Sequence, residues 1–484
     1  MSRRDTATDA GSGSLFIVSL YSYISHMRSV PTGPPLIASA LLAGALALSA
    51  PVAAQQPLGL REALARADRH AYAIRAAAGE TRARAGQADA SRRAFLPTLR
   101  LENHWSRTND PLGAFGFLLR QRTVTPEAFA PDRLNRPDPI SNFGAAIVLE
   151  QPILNVDAAF GRRAAVRARE AGVAAEAWTR TTIRTDVLRA YYGAVLAQAQ
   201  AATLDSAHRA AEAHVRQAES LVRNGLATRS DALLAAVRSG EIAARLASAR
   251  ADAVLARRRL ALAMGTPADT AFALPDSLPA AAAVRNAAAR VAQEPGSPSD
   301  RADVRAAGLA RAAAEADARR ATAALIPRLN SFGRLDWNSG STPYGGDEAW
   351  TIGVAVTWTP FSGGSELAER KAAAGRREAA VAMAEAAEAR AALDASEAEE
   401  AVRAALERLD IAERAVLQSA EAHRIVTRKY AGGIATVVEL FDAVAAETGS
   451  RLAFEQGRFD VVAAVASRRQ ARGLDLSPLE ELDR

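Results

Sequence analysis

The chain has 484 residues, a formal net charge of +6 and no cysteine. The absence of cysteine excludes disulfides, cysteine-ligated metals, thiol catalysis and a lipidated N-terminal cysteine. Arginine supplies nearly all the positive charge, but it alternates with acids and alanine and forms no patch with aromatic residues, so the sequence argues against nucleic-acid binding.

Residues 1–54 have the features of a targeting segment. An apolar run over 36–48 is followed by Val-Ala-Ala at 52–54. The run is short for a membrane span but typical of a signal peptide, which predicts a mature start near Gln55. Met27 is a second candidate start codon. A genuine N-terminal extension and a signal anchor remain the alternatives.

Four stretches predict helix, because they are rich in alanine, arginine, glutamate and leucine, with apolar residues at spacings of three and four. They cover 58–94, 156–264, 300–324 and 363–472. Gly225 lies 73 positions after Pro152, and Gly433 lies 73 positions after Pro360, with no proline between. At ~1.5 Å per residue, each helix would span roughly 100 Å, which no ordinary globular domain encloses.

The chain also repeats itself. Gly-Leu-Ala-Thr at 225–228 and Gly-Ile-Ala-Thr at 433–436 lie 208 positions apart. A repeat of this length indicates a duplicated architecture rather than a short solenoid unit. The predicted domains are a first repeat over 55–264 with a β-hairpin at 95–152, a linker at 265–300 made irregular by five prolines, a second repeat over 301–472 with a β-hairpin at 325–360, and a tail at 473–484.

Four short segments have the period of two that is typical of strands with one apolar face. The clearest is 351–358, and the lengths suit a β-barrel wall of ~9–11 residues per strand. Aromatic residues of membrane barrels gather at the water interfaces, and the candidates here are Trp105, Trp337, Trp350 and Trp358. The alternative is a small soluble hairpin that caps a coiled coil.

Four strands cannot close a membrane barrel, because open edges would leave backbone groups unpaired in lipid. The chain must therefore oligomerise if it spans a membrane. The six histidines show no ligand spacing with acids, and no nucleophile–base pattern stands out, so the sequence predicts no metal, no cofactor and no enzyme activity.

Several motifs, in order and in duplicate, resemble the TolC-like outer-membrane efflux proteins across about 58–472. They are Leu60–Leu64, Ala94–Leu99, Val148–Pro152, Gly225–Asp231, Arg301–Ala306, Thr357–Phe361 and Tyr430–Thr436. The resemblance implies a mainly α fold with a small β part. Three chains would share a 12-stranded barrel in the outer membrane, with loops 109–141 and 339–349 outside the cell and long helical hairpins forming an α-barrel through the periplasm.

The resemblance also implies partners and a gate. The tips near Gly225 and Gly433 would meet a periplasmic adaptor that links the duct to an inner-membrane pump. The implied contact residues at the tips are Gly225, Leu226, Thr228, Gly433, Ile434 and Thr436. The implied gate residues are Glu439, Asp442, Asp231 and Tyr430.

Glu439 and Asp442, at spacing i and i+3, would ring the entrance with carboxylates. The alternative is that both are ordinary solvated helix charges. Asp231 matches an aspartate that pairs with an arginine in the family, but Ala435 stands at the arginine's position, so the gating contacts should differ. The functional prediction is a passive exit duct for efflux or type I secretion. The runner-up is a periplasmic adaptor-like or structural coiled-coil protein.

Overall fold

The computed structural model describes residues 58–476 together with 478, 479 and 482; the expected signal peptide and mature start lie outside them. The α-helices are α1 Leu60–His70, α2 Tyr72–Ala90, α3 Pro111–Arg120, α4 Pro131–Asn135, α5 Val156–Arg223, α6 Arg229–Ala263, α7 Ala281–Gln293, α8 Ala302–Ala323, α9 Ser365–Ala431 and α10 Val437–Ala471. The strands are β1 Thr98–Thr108, β2 Ile140–Leu154, β3 Arg328–Ser339 and β4 Glu348–Thr357.

The two repeats have the same plan, as the sequence predicted. α5 has 68 residues and α9 has 67, and each is followed by a 35-residue return helix. Helices of this length extend roughly 100 Å. None of the described helices is long and apolar enough to cross a membrane.

Small residues let the long helices pack closely. The buried residues along α9 follow a seven-residue repeat, and those over its middle part are Ala384, Ala391, Ala395, Ala398, Ala405, Leu409 and Ala412. This is the heptad spacing of a coiled-coil seam, with alanine at most of the contact positions. The seam packs α9 against α8 and α10.

The largest hydrophobic core lies where the terminal and linker segments cross the long helices. Tyr191 and Tyr192 of α5 are fully buried there, together with Leu260 of α6 and Leu409 of α9. The Tyr191 hydroxyl donates a hydrogen bond to the carbonyl of Leu58 at 3.1 Å, which ties the start of the described chain to α5.

Two expectations for the helices were wrong in detail. The linker 265–300 is not irregular throughout, because α7 occupies Ala281–Gln293 and buries Val284 and Val291. Proline breaks a helix at its own position and just before it, and Pro279 and Pro295 bracket this alanine-rich stretch rather than interrupt it. The first predicted helix, 58–94, is divided at Ala71, whose ψ of 128° is not helical.

The four strands form one antiparallel sheet in the order β1-β2-β3-β4. Its register aligns one apolar row across all the strands, in which Leu101 pairs with Ile147, Ile147 with Leu335, and Leu335 with Trp350. The adjacent row, on the other face, contains Glu102 and Asp336. The sheet therefore has one apolar and one polar face, as the alternation predicted.

Candidate functional site at the two helical tips

The turns that join α5 to α6 and α9 to α10 share one backbone design. Gly225 and Gly433 have φ angles of +72° and +73°, in the left-handed region that favours glycine. Leu226 and Ile434 then donate their N–H groups to the carbonyl five residues earlier, at 2.8 and 2.9 Å. This Schellman geometry ends both long helices in the same way.

A capping box starts each return helix. The Thr228 hydroxyl accepts a hydrogen bond from the N–H of Asp231 at 3.2 Å, and the Asp231 carboxylate accepts one from the N–H of Thr228 at 3.0 Å. Thr436 and Glu439 repeat the arrangement at 3.2 and 2.7 Å. These hydrogen bonds hold the pKa values of both carboxyls below their ordinary range, so both acids stay charged at neutral pH.

Glu439 and Asp442 are both exposed on α10, while Leu440 and Phe441 between them are buried. The structure thus places the two carboxylates on one solvent-facing side of the helix, as their spacing predicted. It also gives Glu439 a capping role that is independent of any gate. That the pair faces an entrance stays a prediction.

Tyr430 brings the two hairpins together. Its ring is 5% exposed and packs in a tip core with Ala211 of α5, Ala235 of α6 and Phe441 of α10. Burial raises the pKa of the Tyr430 phenol, and the negative charge of Asp231 raises it further. Its hydroxyl has no hydrogen-bond partner among the described residues.

Asp231 accepts its hydrogen bonds from Thr228, and Ala435 packs against the tip core. The two helical hairpins therefore contact each other near the tips mainly through apolar side chains.

Two aliphatic side chains project from the tips. Leu226 is 74% exposed and Ile434 is 79% exposed, and they follow the two equivalent glycines. Exposed aliphatic side chains at matching positions suit a protein partner better than bulk water. Adaptor contact at these residues and their loop neighbours stays a prediction.

The structure also reveals a histidine pair that no sequence motif indicates. His214 of α5 is 8% exposed, and its ring centroid lies 5.8 Å from that of His423 on α9 and 6.2 Å from Phe441. The Nδ1 atom of His423 contacts the Glu447 carboxylate, which also binds Arg451. His214 and His423 stand 11 and 10 positions before their tip glycines, so the repeat does not align them and the sequence carries no signal for the pair.

Acid is expected to loosen the tip through His214. Burial lowers the pKa of His214 below the ordinary 6.5, and the neighbouring charge of His423 lowers it further. Below about pH 6.5 the unfolded chain then binds more protons at this site, so the stability is complete above that pH and falls as the pH drops. His214→Gln should flatten the decline in thermal midpoint between about pH 7.5 and 5.

His70→Gln is the matched control, because His70 is exposed and should leave the slope unchanged. An unaltered slope in His214→Gln would assign the acid sensitivity to other groups.

A second surface lies on the sheet. The exposed apolar residues of its outer face include Leu99, Leu101, Trp105, Trp350, Ile352, Val354 and Val356. Trp105, Trp337 and Trp350 stand toward the end of the sheet where β3 turns into β4, whereas Trp358 follows β4 at the opposite end. That these tryptophans form two aromatic girdles around an apolar band stays a prediction.

The described residues contain no group of three histidine or acidic side chains arranged to hold a metal ion. The two surfaces present carboxylates and exposed aliphatic side chains at the tips, and exposed apolar side chains on the sheet.

The outer membrane efflux protein family matches residues 63–266 and 299–474. Among solved structures, the chain is similar to VceC from Vibrio cholerae, an outer membrane protein, with 19% identity, a TM-score of 0.71 and coverage of 86% of this chain and 96% of that one. It is similar to the CmeC outer membrane channel of Campylobacter jejuni, with 16% identity, a TM-score of 0.71 and coverage of 88% and 89%.

The MtrE outer membrane channel of Neisseria gonorrhoeae gives 20% identity, a TM-score of 0.69 and coverage of 86% and 89%. The comparison with curated proteins found no match. At these identities the solved structures establish the fold, and the family match establishes the relationship.

Proposed function

Because this chain belongs to the outer membrane efflux protein family, we propose that it is the outer-membrane exit duct of a tripartite efflux or type I secretion system. The proposal rests mainly on the observation that one chain contains both a sheet with an exposed apolar face and helices roughly 100 Å long. The apolar face suits lipid, and the helices suit a passage through the periplasm.

The edges of the sheet require partners. β1 and β4 each pair with one neighbour in the described chain, so each has a free edge. Lipid allows no open edge, and barrels start at about eight strands. Three chains with four strands each would close a 12-stranded barrel, which supports a homotrimer.

The duct would be passive, with energy supplied by an inner-membrane pump. Leu226 and Ile434, with their loop neighbours, would dock the periplasmic adaptor that connects the pump to the tips. The alternative of an adaptor-like or structural coiled coil gains no support from the exposed apolar sheet face. We propose no catalytic step for this chain.

The native mass of protein extracted in detergent from isolated outer membranes tests the proposal. A membrane-embedded species of three chains that conducts ions in planar bilayers is expected. A water-soluble monomer or dimer recovered from the periplasm would overturn the shared barrel and the duct with it.

The acidic pair on α10 is expected to make the channel prefer cations. Two carboxylates per chain would give a trimer six around its entrance, and such a ring attracts cations and repels anions. Glu439→Gln with Asp442→Asn removes these charges, and glutamine can still serve the capping box. In a salt gradient, the reversal potential of the unmodified channel should lie toward the equilibrium potential of the cation. The reversal potential of the double variant should lie closer to zero.

Glu241→Gln with Asp252→Asn removes the same charge from exposed positions on α6 and serves as the control. A reversal potential that shifts equally in both double variants, or in neither, would contradict a gate at Glu439 and Asp442.

A further inference from the structure

The segment between β1 and β2, residues 109–139, folds back onto the sheet. Ala114 of α3 has no exposed surface. Just after α3, the Gln121 side-chain nitrogen donates hydrogen bonds to the carbonyl of Ser141 at 2.8 Å and to the side-chain oxygen of Asn142 at 2.9 Å. Asn142 in turn donates to the side-chain oxygen of Asn338 on β3 at 2.9 Å.

The strand register identifies the face that this segment covers. Asn142 pairs with Ser106, and Ser106 lies on the same polar side of β1 as Glu102. Asn338 likewise shares the polar side of β3 with Asp336. The Gln121–Asn142–Asn338 ladder, called the amide latch below, therefore lies on the face opposite to the exposed apolar wall.

The amide latch is buried where Gln121 of the folded-back segment meets the sheet. Asn142 is 0% exposed and Asn338 is 8% exposed, although the polar face of a barrel wall would otherwise meet water. Each amide has a hydrogen-bond partner while the segment is docked, and each can be hydrated when it lifts. A polar latch of this kind can release into water more readily than an apolar seal.

A second, weaker tie holds the same segment. Arg122 donates to the carbonyl of Glu348 at 3.0 Å and lies 3.3 Å from the Asp347 carboxylate, in a pair that is 60% exposed on both sides. Exposed pairs contribute little. Arg122 has a φ of +53° because it is the left-handed residue that ends α3, where the N–H of Thr123 donates to the carbonyl of Leu118 at 3.0 Å.

We propose that residues 109–139 form an extracellular lid over the lumen and that the amide latch holds the lid shut. The inference rests on the proposed duct, because only in a closed barrel does the polar face line a lumen. Three chains would bring three lids to one mouth. Cargo would leave when the latch residues exchange their mutual hydrogen bonds for water.

A cysteine reporter tests the latch directly, since the chain has no cysteine of its own. In detergent-extracted Ala114→Cys protein, the thiol lies on α3 within the lid, at a position with no exposed surface, and should react slowly with a water-soluble maleimide. Asn142→Ala in this background leaves the Asn338 oxygen without its donor, and labelling should be about tenfold faster. Asn135→Ala, an exposed amide in the same segment, is the matched control and should leave the rate unchanged.

Equal labelling rates with and without Asn142, or an equal acceleration by Asn135→Ala, would overturn the latch. Fast labelling of the Ala114→Cys protein that carries no second substitution would overturn the proposal that the segment forms a closed lid. If Ala114→Cys does not fold, trypsin cleavage after Arg122 gives the same comparison in the cysteine-free chain, with faster cleavage expected only in Asn142→Ala.

The labelling assay needs no transport, so a failed latch leaves the duct proposal standing. If the extracted protein is a non-conducting monomer, there is no lumen for the lid to cover. The proposed function of the lid then fails whatever the labelling rates are.

Discussion

Val354→Arg is expected to prevent assembly in the outer membrane, whereas Ala355→Arg, one residue further along β4, is expected to be tolerated. Val354 is 64% exposed on the apolar face of the sheet. An arginine on a lipid-facing strand position costs about 2–4 kcal/mol near the middle of the bilayer, and a trimer would contain three copies. The yield of detergent-extracted trimer from outer membranes measures the effect.

Ala355→Arg is the matched control for Val354→Arg, because the two positions differ mainly in the face of the sheet on which they lie. It lies at nearly the same depth, but it points to the polar face, where it pairs with Asn330. The Asn330 side chain lies 3.4 Å from the Glu150 carboxylate, so a new guanidinium would meet an acid rather than lipid. Equal yields from the two variants, or a greater loss with Ala355→Arg, would contradict the assignment of the apolar face to lipid.

The sequence predicts well the elements that arise from a regular pattern of residues along the chain. The long helices follow from alanine-rich, proline-free stretches, and 351–358 was recognised as a strand because apolar and small residues alternate along it. The observed β4 is Glu348–Thr357, so the error is a shift of the ends. The equivalence of the tips at Gly225 and Gly433 was readable because a motif repeats.

Two local features could have been found from the sequence. Thr228 is followed three residues later by Asp231, and Thr436 by Glu439, which is the spacing of a capping box. The helix α7 lies between Pro279 and Pro295, and the five prolines of the linker obscure the alanine-rich stretch between these two.

Other contacts depend on the tertiary fold alone. His214 and His423 are 209 positions apart, and no periodic pattern predicts that their rings meet. The latch residues Asn142 and Asn338 fit the polar alternation of their strands, so nothing distinguishes them from residues that face open water until the segment 109–139 is seen on top of them.

Arg301 is the strongest case of this kind, and it leads to the second large expected effect. The sequence placed it in a family motif without a role. In the structure its side chain is 3% exposed, its guanidinium binds both oxygens of Asp303 at 3.0 and 2.7 Å, and it binds Asp394 of α9 at 2.9 Å. The same guanidinium lies 4.5 Å from the ring centroid of Trp178 on α5. One buried cation thus joins α5, α8 and α9.

Arg301→Ala should destabilise the protein strongly, because it leaves acids that were paired in a buried site without their cation. Breaking a buried pair costs about 3–5 kcal/mol, and the low end applies here because Asp303 is partly exposed and Asp394 keeps Arg390 as a partner. Arg311→Ala, in an exposed pair with Glu315 on the same helix, should cost less than about 1 kcal/mol. The thermal midpoints of the detergent-extracted proteins compare the two.

A compensating variant separates the charge from the packing. Arg301→Met with Asp303→Asn and Asp394→Asn removes the cation and both of its acids while keeping most of the side-chain volume. It should recover much of the stability lost in Arg301→Ala, because a buried ion pair replaced as a unit is often neutral. If the triple variant is no more stable than Arg301→Ala, the stacking on Trp178, rather than the ion pairs, is what holds the three helices together.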